Sequence, residues 1–192
     1  MFAVSSCVLV ALLAGTAPQR GEPATKDPAI EEFNKQVKKY MDLHNKVEHS
    51  VPPIDKKRES DPARIVNHQK ALSAAIGAAR PEAARGDIFR PDVQPVFLKI
   101  IKKQLSSGKG PTARAMILGD GNPKSPESPA KVDLSVNAEY PAKAPLSTVP
   151  PSVLLSLPRL PDGLEYRFVG RHLILYDASA NLIVDVLPNA IR

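Results

Sequence analysis

The sequence predicts an α+β fold in which an N-terminal helical hairpin and a third helix precede a C-terminal three-stranded antiparallel meander. In two segments of the first half, apolar residues recur at alternating three- and four-residue spacing, as on one face of an amphipathic helix. Seven prolines between residues 121 and 151 exclude long helices there. From residue 164 onward, apolar and polar residues alternate, which indicates β-strands.

The first seventeen residues have the composition of a bacterial secretory signal peptide. Residues 2–14 are apolar or small, too few for the about twenty residues of a membrane-spanning helix but enough for the hydrophobic region of a signal peptide. Residues 15–17 supply a small-residue cleavage site, and residues 18–26 form a polar linker. We predict export to the periplasm or the cell exterior, with no integral membrane segment in the mature chain. The alternative is a buried N-terminal helix of a cytosolic protein.

Helix start and stop signals organise the predicted helical region, residues 27–118. Asp27-Pro28 supplies a capping carboxylate followed by proline at the first helical position, and Asp61-Pro62 repeats this signal. The two helices end at the proline-containing residues 51–53 and 80–81. Because about twelve residues join them, an antiparallel hairpin is expected.

A third helix is expected over residues 91–105, and a short fourth helical turn over residues 112–118. The proline-rich linker of residues 119–131 then separates the helices from a small β-rich region, residues 132–192. An alternation that would add a fourth strand is carried by Val132, Leu134 and Val136.

The meander is predicted by three apolar runs, LEYRFV, LILYD and LIVDVL, separated by turns at residues 170–172 and 178–181. Their alternation indicates a sheet packed on one side, against either the helices or a short proline-capped helix that precedes the meander. Ahead of the meander, Ser147 is expected to cap a short helix carrying Val153, Leu154 and Leu155.

The composition limits the kinds of partner that the protein is expected to bind. The chain has 26 basic and 20 acidic residues, a formal charge of +6 that favours anionic partners. The basic residues are spread along the chain without a stripe of interleaved aromatics, so nucleic-acid binding is not expected. The only cysteine, Cys7, lies in the predicted signal peptide, so the mature protein is expected to lack disulfides and thiol chemistry.

Histidines are the candidate metal ligands. His44 and His68 lie on the apolar stripes of the two predicted helices, and an assumed hairpin register places them near each other, with His49 about one turn further along. Facing histidines of two helices can bind Ni, Cu, Zn or Co, with Asp42 or Glu48 as oxygen ligands. The alternative is a hydrogen-bonded core histidine or one at a partly exposed edge.

Catalytic motifs are absent from the sequence: it has no phosphate-binding glycine loop, HExxH motif, zinc-ligand spacing or nucleophile elbow. Asp177 and Asp185 are the only acidic pair that the meander brings near each other. Two solvent-facing or turn-capping aspartates are the alternative to a catalytic pair. We therefore predict no catalytic residue and no enzymatic activity.

The C-terminal stretch LPRLPDGLEYRFVGRHLILYDASANLIVDVL resembles the end of small periplasmic nickel/cobalt homeostasis proteins. The resemblance covers about thirty of 192 residues and includes only one histidine, His172, so it implies a periplasmic accessory role but transfers no metal ligand. The whole chain resembles uncharacterised exported bacterial proteins that pair a helical half with such a meander. That resemblance implies export.

The leading functional hypothesis is a non-enzymatic secreted or periplasmic binding protein with an unknown envelope partner. One alternative is a periplasmic transition-metal accessory protein that uses His44 and His68. The other is an unrecognised hydrolytic enzyme. An exposed apolar patch beside the sheet would favour the first, and two histidines within ligand reach the second. A deep pocket with clustered carboxylates would favour the third.

Overall fold

A computed structural model describes residues 27–53, 62–120, 132–141, 144 and 147–192. The predicted signal peptide, the linker at 18–26 and residues 121–131 lie outside the described residues. Within these residues, five helices and three strands form an α+β fold with a C-terminal meander, as predicted. The elements are α1 (Pro28–Glu48), α2 (Pro62–Ala79), α3 (Gln94–Ser106), α4 (Gly110–Asp120), α5 (Pro151–Leu154), β1 (Leu164–Val169), β2 (His172–Asp177) and β3 (Leu182–Leu187).

The first helix begins where the sequence predicts. The Asp27 carboxylate accepts a hydrogen bond from the Ala29 amide at 3.0 Å, which satisfies one of the free N–H groups of the first turn. One stripe of α1 is buried, and it consists of Ala29, Phe33, Val37, Tyr40 and His44. None of the described helices combines the length and apolar composition needed to cross a membrane.

Helices α1 and α2 are antiparallel, but their register differs from the assumed one. The guanidinium carbon of Arg80, just after α2, lies 5.2 Å from the centre of the Tyr40 ring. At the other end of the hairpin, His68 Nδ1 lies 3.0 Å from the carbonyl oxygen of Pro52. The structure therefore packs His68 against the chain that continues beyond α1, and does not pair it with His44.

The sheet has the order β1-β2-β3 with antiparallel neighbours. Leu164 lies opposite Asp177 in the first pair of strands, and Leu173 lies opposite Leu187 in the second. The hairpin turn between β1 and β2 contains Gly170 at φ +56°, a conformation that glycine adopts without the steric cost of a Cβ.

The predicted fourth strand over residues 132–136 is not formed. Asp133 Oδ1 accepts a hydrogen bond from the Ser135 amide at 3.0 Å, and the chain then turns at residues 136–137, where Asn137 has φ +65° and the Ala138 amide donates to the Ser135 carbonyl. The chain first pairs with β3 at residue 137, after the predicted strand. The Asn137 amide donates to the Ile183 carbonyl, and the Tyr140 amide donates to the Asn181 carbonyl, so residues 137–140 cover the outer edge of β3.

Both faces of the sheet are buried, whereas the sequence predicted one. The first face shares a single core with the helices, to which the sheet contributes Leu164, Tyr166, Phe168, Leu173 and Leu175. The second face is covered by the segment that follows the proline-rich linker. Its buried residues are Val169, Ile174, Ile183 and Val186, and Tyr140 of the covering segment packs with them. The turn at residues 136–137 folds this segment over the sheet, where a fourth strand would have extended it.

A buried carboxylate ties the connection between α2 and α3 to the sheet. Asp185, fully buried in β3, accepts hydrogen bonds from the amides of Gly86, Ile88 and Phe89 at 2.7–2.9 Å, and from the amide of Val186. Burial raises the pKa of Asp185 even though these four donors favour its charged form. The connection places Phe89 against Phe33 and Phe97 in the core.

We expect Asp185→Ala to lower the free energy of unfolding by about 3 kcal/mol or more, because it leaves several buried amides without an acceptor. Urea denaturation measures this loss. Asp162→Ala, which removes an exposed aspartate before β1, is the matched control and should stay within about 0.5 kcal/mol of the parent. Equal losses in the two variants would show that the Asp185 network does not hold the connection.

Candidate functional site

The structure does not bring the predicted metal ligands together. His68 forms a hydrogen bond with the Pro52 carbonyl. The exposed His49, directly after α1, forms one with the carbonyl of Asn45 in that helix. His44 is buried and contacts a carboxylate of the sheet. In the described part of the chain, no three histidine, cysteine, aspartate or glutamate side chains form a group that could hold a metal ion.

The remaining predicted ligands are also placed apart. Asp42 forms an exposed ion pair with Lys38 at 2.9 Å, one turn earlier on α1. Glu48 Oε2 lies 3.7 Å from His44 Nε2, the nearest approach between a predicted oxygen ligand and a predicted nitrogen ligand. The geometry therefore gives the three-histidine metal site no support.

A buried polar cluster joins α1 to the end of β2. Asp177 Oδ2 accepts a hydrogen bond from the Tyr40 hydroxyl at 2.6 Å and from His44 Nδ1 at 2.7 Å. Its other oxygen accepts the amides of Ser179 and Ala180 at 3.0 Å, which caps the turn between β2 and β3. Asp177 is thus a turn-capping residue, but both it and Asp185 are buried, so neither is solvent-facing.

The cluster shifts the pKa of each member. The hydrogen bond to Asp177 raises the pKa of His44 and outweighs the opposing effect of burial. Burial alone would raise the pKa of Asp177, but the hydrogen bonds from His44 and Tyr40 lower it below its ordinary value. Burial and the nearby Asp177 charge raise the pKa of Tyr40 far above its ordinary value. Asp177 is therefore charged at neutral pH and Tyr40 is not.

The Asp177–His44 pair has the geometry of a carboxylate that orients an imidazole. A nucleophilic site would also need a hydroxyl or thiol against the second ring nitrogen. The second ring nitrogen, His44 Nε2, faces the Glu48 carboxylate and forms no hydrogen bond with a hydroxyl among the described residues. The pair consequently serves as a buried attachment between helix and sheet.

Exposed leucines mark a different kind of site. Leu155, directly after the one-turn helix α5, is 87% exposed, and Leu154 is 49% exposed. Beside them, a cavity of about 590 Å³ runs along β1. We call it the β1 groove, and its apolar walls are Val149, Leu154, Leu155, Leu157, Pro158, Leu160, Leu164 and Tyr166. A second cavity of about 680 Å³ continues past Leu155 and residues 156–161 to α1.

Along this groove, the main chain of β1 has no partner strand after a single bridge. Ser147 and Phe168 exchange two hydrogen bonds of 3.2 and 3.3 Å, so the N–H and C=O of Phe168 point away from β2. Residues two apart in a strand share this direction, so the N–H and C=O of Tyr166 also point away from β2. Neither group has a partner among the described residues.

Two prolines keep this edge open. After Val149, the chain enters Pro150 and Pro151, and neither has an N–H with which to continue a ladder along β1. Pro151 instead begins α5. The sequence pattern predicted a short helix carrying Val153, Leu154 and Leu155 but did not indicate that the two leucines are exposed beside a groove. Two consecutive leucines on a single helical turn after a double proline were the available signal.

The charges around the groove are largely paired. Arg167 Nε donates to Glu165 Oε2 at 2.7 Å on the strand itself, and Lys38 is paired with Asp42 on α1. Arg159 is the charged residue of the groove for which no partner is found among the described residues. A ligand of this groove therefore meets an apolar surface and a main-chain edge, with little net charge.

The buried cluster makes stability depend on pH through His44. A histidine whose pKa is raised by folding adds stability that is fully present below its unfolded value, about 6.5, and is lost as pH rises through the folded value. We expect His44→Asn, which keeps a neutral donor, to lower the free energy of unfolding by roughly 2 kcal/mol at pH 5.5 and by clearly less at pH 8.5.

Urea denaturation at both pH values measures this difference. His49→Gln, which replaces an exposed histidine of the same helix, is the control and should follow the parent protein at both pH values. A loss in His44→Asn that is the same at pH 5.5 and 8.5 would mean that the charge of His44 does not stabilise the fold.

No family model, curated protein or solved structure matches this chain, so the buried cluster and the β1 groove are interpreted from their own geometry.

Proposed function

We propose that this protein is a non-enzymatic binding protein of the bacterial envelope, and that its β1 groove takes up an extended apolar segment of a partner protein by strand addition. The observation that carries the proposal is the pair of exposed leucines beside an open strand edge. Leu155 is the most exposed large apolar residue described, and it lines the same groove as Tyr166, whose N–H and C=O have no hydrogen-bond partner among the described residues.

The energetics of strand addition fit this surface. A fully buried leucine contributes roughly 1.5–3 kcal/mol relative to an exposed one, so covering Leu154 and Leu155 provides an apolar driving force. A segment opposite Tyr166 would exchange two main-chain hydrogen bonds with it, and these bonds do not depend on the partner's sequence. Selectivity for the partner's sequence would come from side chains that pack against Leu154 and Leu155.

Strand geometry restricts the partner's sequence. Side chains of an added strand point alternately to the two faces, so every second residue of the partner would face the leucines. Because the groove's charges are mostly paired, an uncharged apolar residue suits those positions. The partner segment is therefore an extended stretch with apolar residues at alternate positions.

The envelope location rests on the N-terminal sequence. Residues 1–17 carry a hydrophobic region and a small-residue cleavage site, and the remaining chain has no cysteine. The resemblance of the meander to periplasmic nickel/cobalt homeostasis proteins supports the same compartment. The metal-binding alternative is not proposed, because the described histidines contact Asp177, Pro52 and Asn45 and do not converge.

Peptide selection tests the groove. Short random peptides displayed on phage are selected against the protein purified after expression of the full chain. We expect binders with apolar residues at alternate positions, and about tenfold or greater loss of affinity for Leu155→Asp, since tenfold corresponds to 1.4 kcal/mol. Calorimetry with synthetic peptides measures the affinities. N-methylation of the amide that pairs with Tyr166 should also abolish binding.

Val66→Asp is the matched control, because it places the same charge at a 45%-exposed apolar residue of α2 away from the groove. It should bind the selected peptides as the parent does. Equal affinity of the Leu155→Asp variant, or failure to select any peptide, would contradict the proposed function.

Export is tested separately. Expression of the full chain in a Gram-negative host should yield a periplasmic protein whose mass has decreased by that of about seventeen N-terminal residues. Cell fractionation and intact-mass spectrometry measure this. A protein that keeps residues 1–17 and remains in the cytoplasm would refute export without affecting the peptide-binding test.

A further inference from the structure

A separate cavity of about 490 Å³ lies between α3, Arg114 of α4 and residues 190–192. We call it the α3 cavity. Its floor is apolar and consists of Pro95, Leu98, Ile101, Leu105, Ala190 and Ile191. Its volume is within the range of about 300–1,000 Å³ that is usual for small-molecule sites.

The rim of the α3 cavity is cationic. Lys99, Lys102, Arg114 and Arg192 line it, and no lining residue is an aspartate or glutamate. Arg114 is engaged by the main-chain oxygen of Arg192, at 2.6 Å from Nη2 and 3.2 Å from Nε. Within the described residues, the other three cations form no ion pair. The α3 cavity thus combines an apolar floor with a rim where Lys99 and Lys102 have no acidic partner among the described residues, unlike the β1 groove, where Glu165 pairs with Arg167.

The main chain around the α3 cavity does not favour a peptide. The α3 residues of the floor lie in a helix, whose amides and carbonyls are bonded within it. The Ile191 amide donates to the Arg171 carbonyl at 3.0 Å, and the Ile191 carbonyl accepts from Arg171 Nη1. An alkyl chain needs no hydrogen-bonding partner along its length, so it suits this floor better than a peptide does.

We propose that the α3 cavity binds a monomeric long-chain carboxylate. The chain lies along Leu98, Ile101 and Leu105, and the carboxylate is held at the rim by Lys99 and Lys102. Charge complementarity selects the anionic head, and the burial of methylene groups makes affinity depend on chain length. This ligand is independent of the peptide proposed for the β1 groove.

Sodium laurate below its micellar concentration is the probe, with sodium hexanoate as the short-chain comparison. We expect calorimetry to show saturable binding of one laurate per chain and at least tenfold weaker binding of hexanoate. The Lys99→Glu/Lys102→Glu variant should bind laurate at least tenfold more weakly. Both lysines are exposed, so the variant should keep the parent's circular dichroism spectrum.

The Lys39→Glu/Lys70→Glu variant is the matched control, because it makes the same charge change at exposed lysines of α1 and α2 and should bind laurate as the parent does. Leu155→Asp should also keep laurate binding, which separates this site from the β1 groove. Absence of saturable laurate binding, equal binding by the two double variants, or equal affinity for hexanoate would overturn the proposal. Binding only to phosphatidylglycerol vesicles would overturn it in favour of a membrane surface.

Discussion

Two buried aspartates determine how the helices sit on the sheet. Asp177, at the end of β2, accepts hydrogen bonds from Tyr40 and His44 of α1, and Asp185, in β3, accepts the amides of the connection between α2 and α3. A buried carboxylate costs several kcal/mol unless donors surround it. A packing arrangement that moved α1 or the connection would leave one of these charges without donors. The aspartates therefore specify one arrangement, and removing either one leaves buried donors without an acceptor.

The open edge of β1 follows from this arrangement. The helices occupy one face of the sheet, and the segment around Tyr140 covers the second face and the outer edge of β3. In the part of the chain that the structure describes, the residues before α5 are the ones that pair with the edge of β1 that faces away from β2, and Pro150 and Pro151 lead them away after one bridge. Natural sheets usually protect their edges against association. An edge left open beside exposed leucines is therefore a specific feature of this fold.

Local signals in the sequence predict most of the elements, because they act within a few residues. A capping aspartate before proline fixes the start of α1, and alternation over six residues fixes each strand of the meander. Contacts between distant residues could not be predicted this way. His44 and Asp177 are 133 residues apart, so an isolated histidine on an apolar stripe did not indicate its carboxylate partner. A turn at residues 136–137, with Asn137 at φ +65°, stands where the alternation predicted a strand. The register of the α1–α2 hairpin involves contacts of α2 with residues after α1, such as His68 with Pro52.

The two proposed binding sites differ in how charge is arranged, not in how apolar they are. At the β1 groove, Glu165 pairs with Arg167, so recognition rests on the leucines and the main chain. At the α3 cavity, Lys99 and Lys102 have no such partner among the described residues, so the proposed recognition requires an anion. Neither site includes a residue bonded to Asp177 or Asp185. Ligand preference can consequently change at either site without disturbing the buried carboxylates that hold the helices on the sheet.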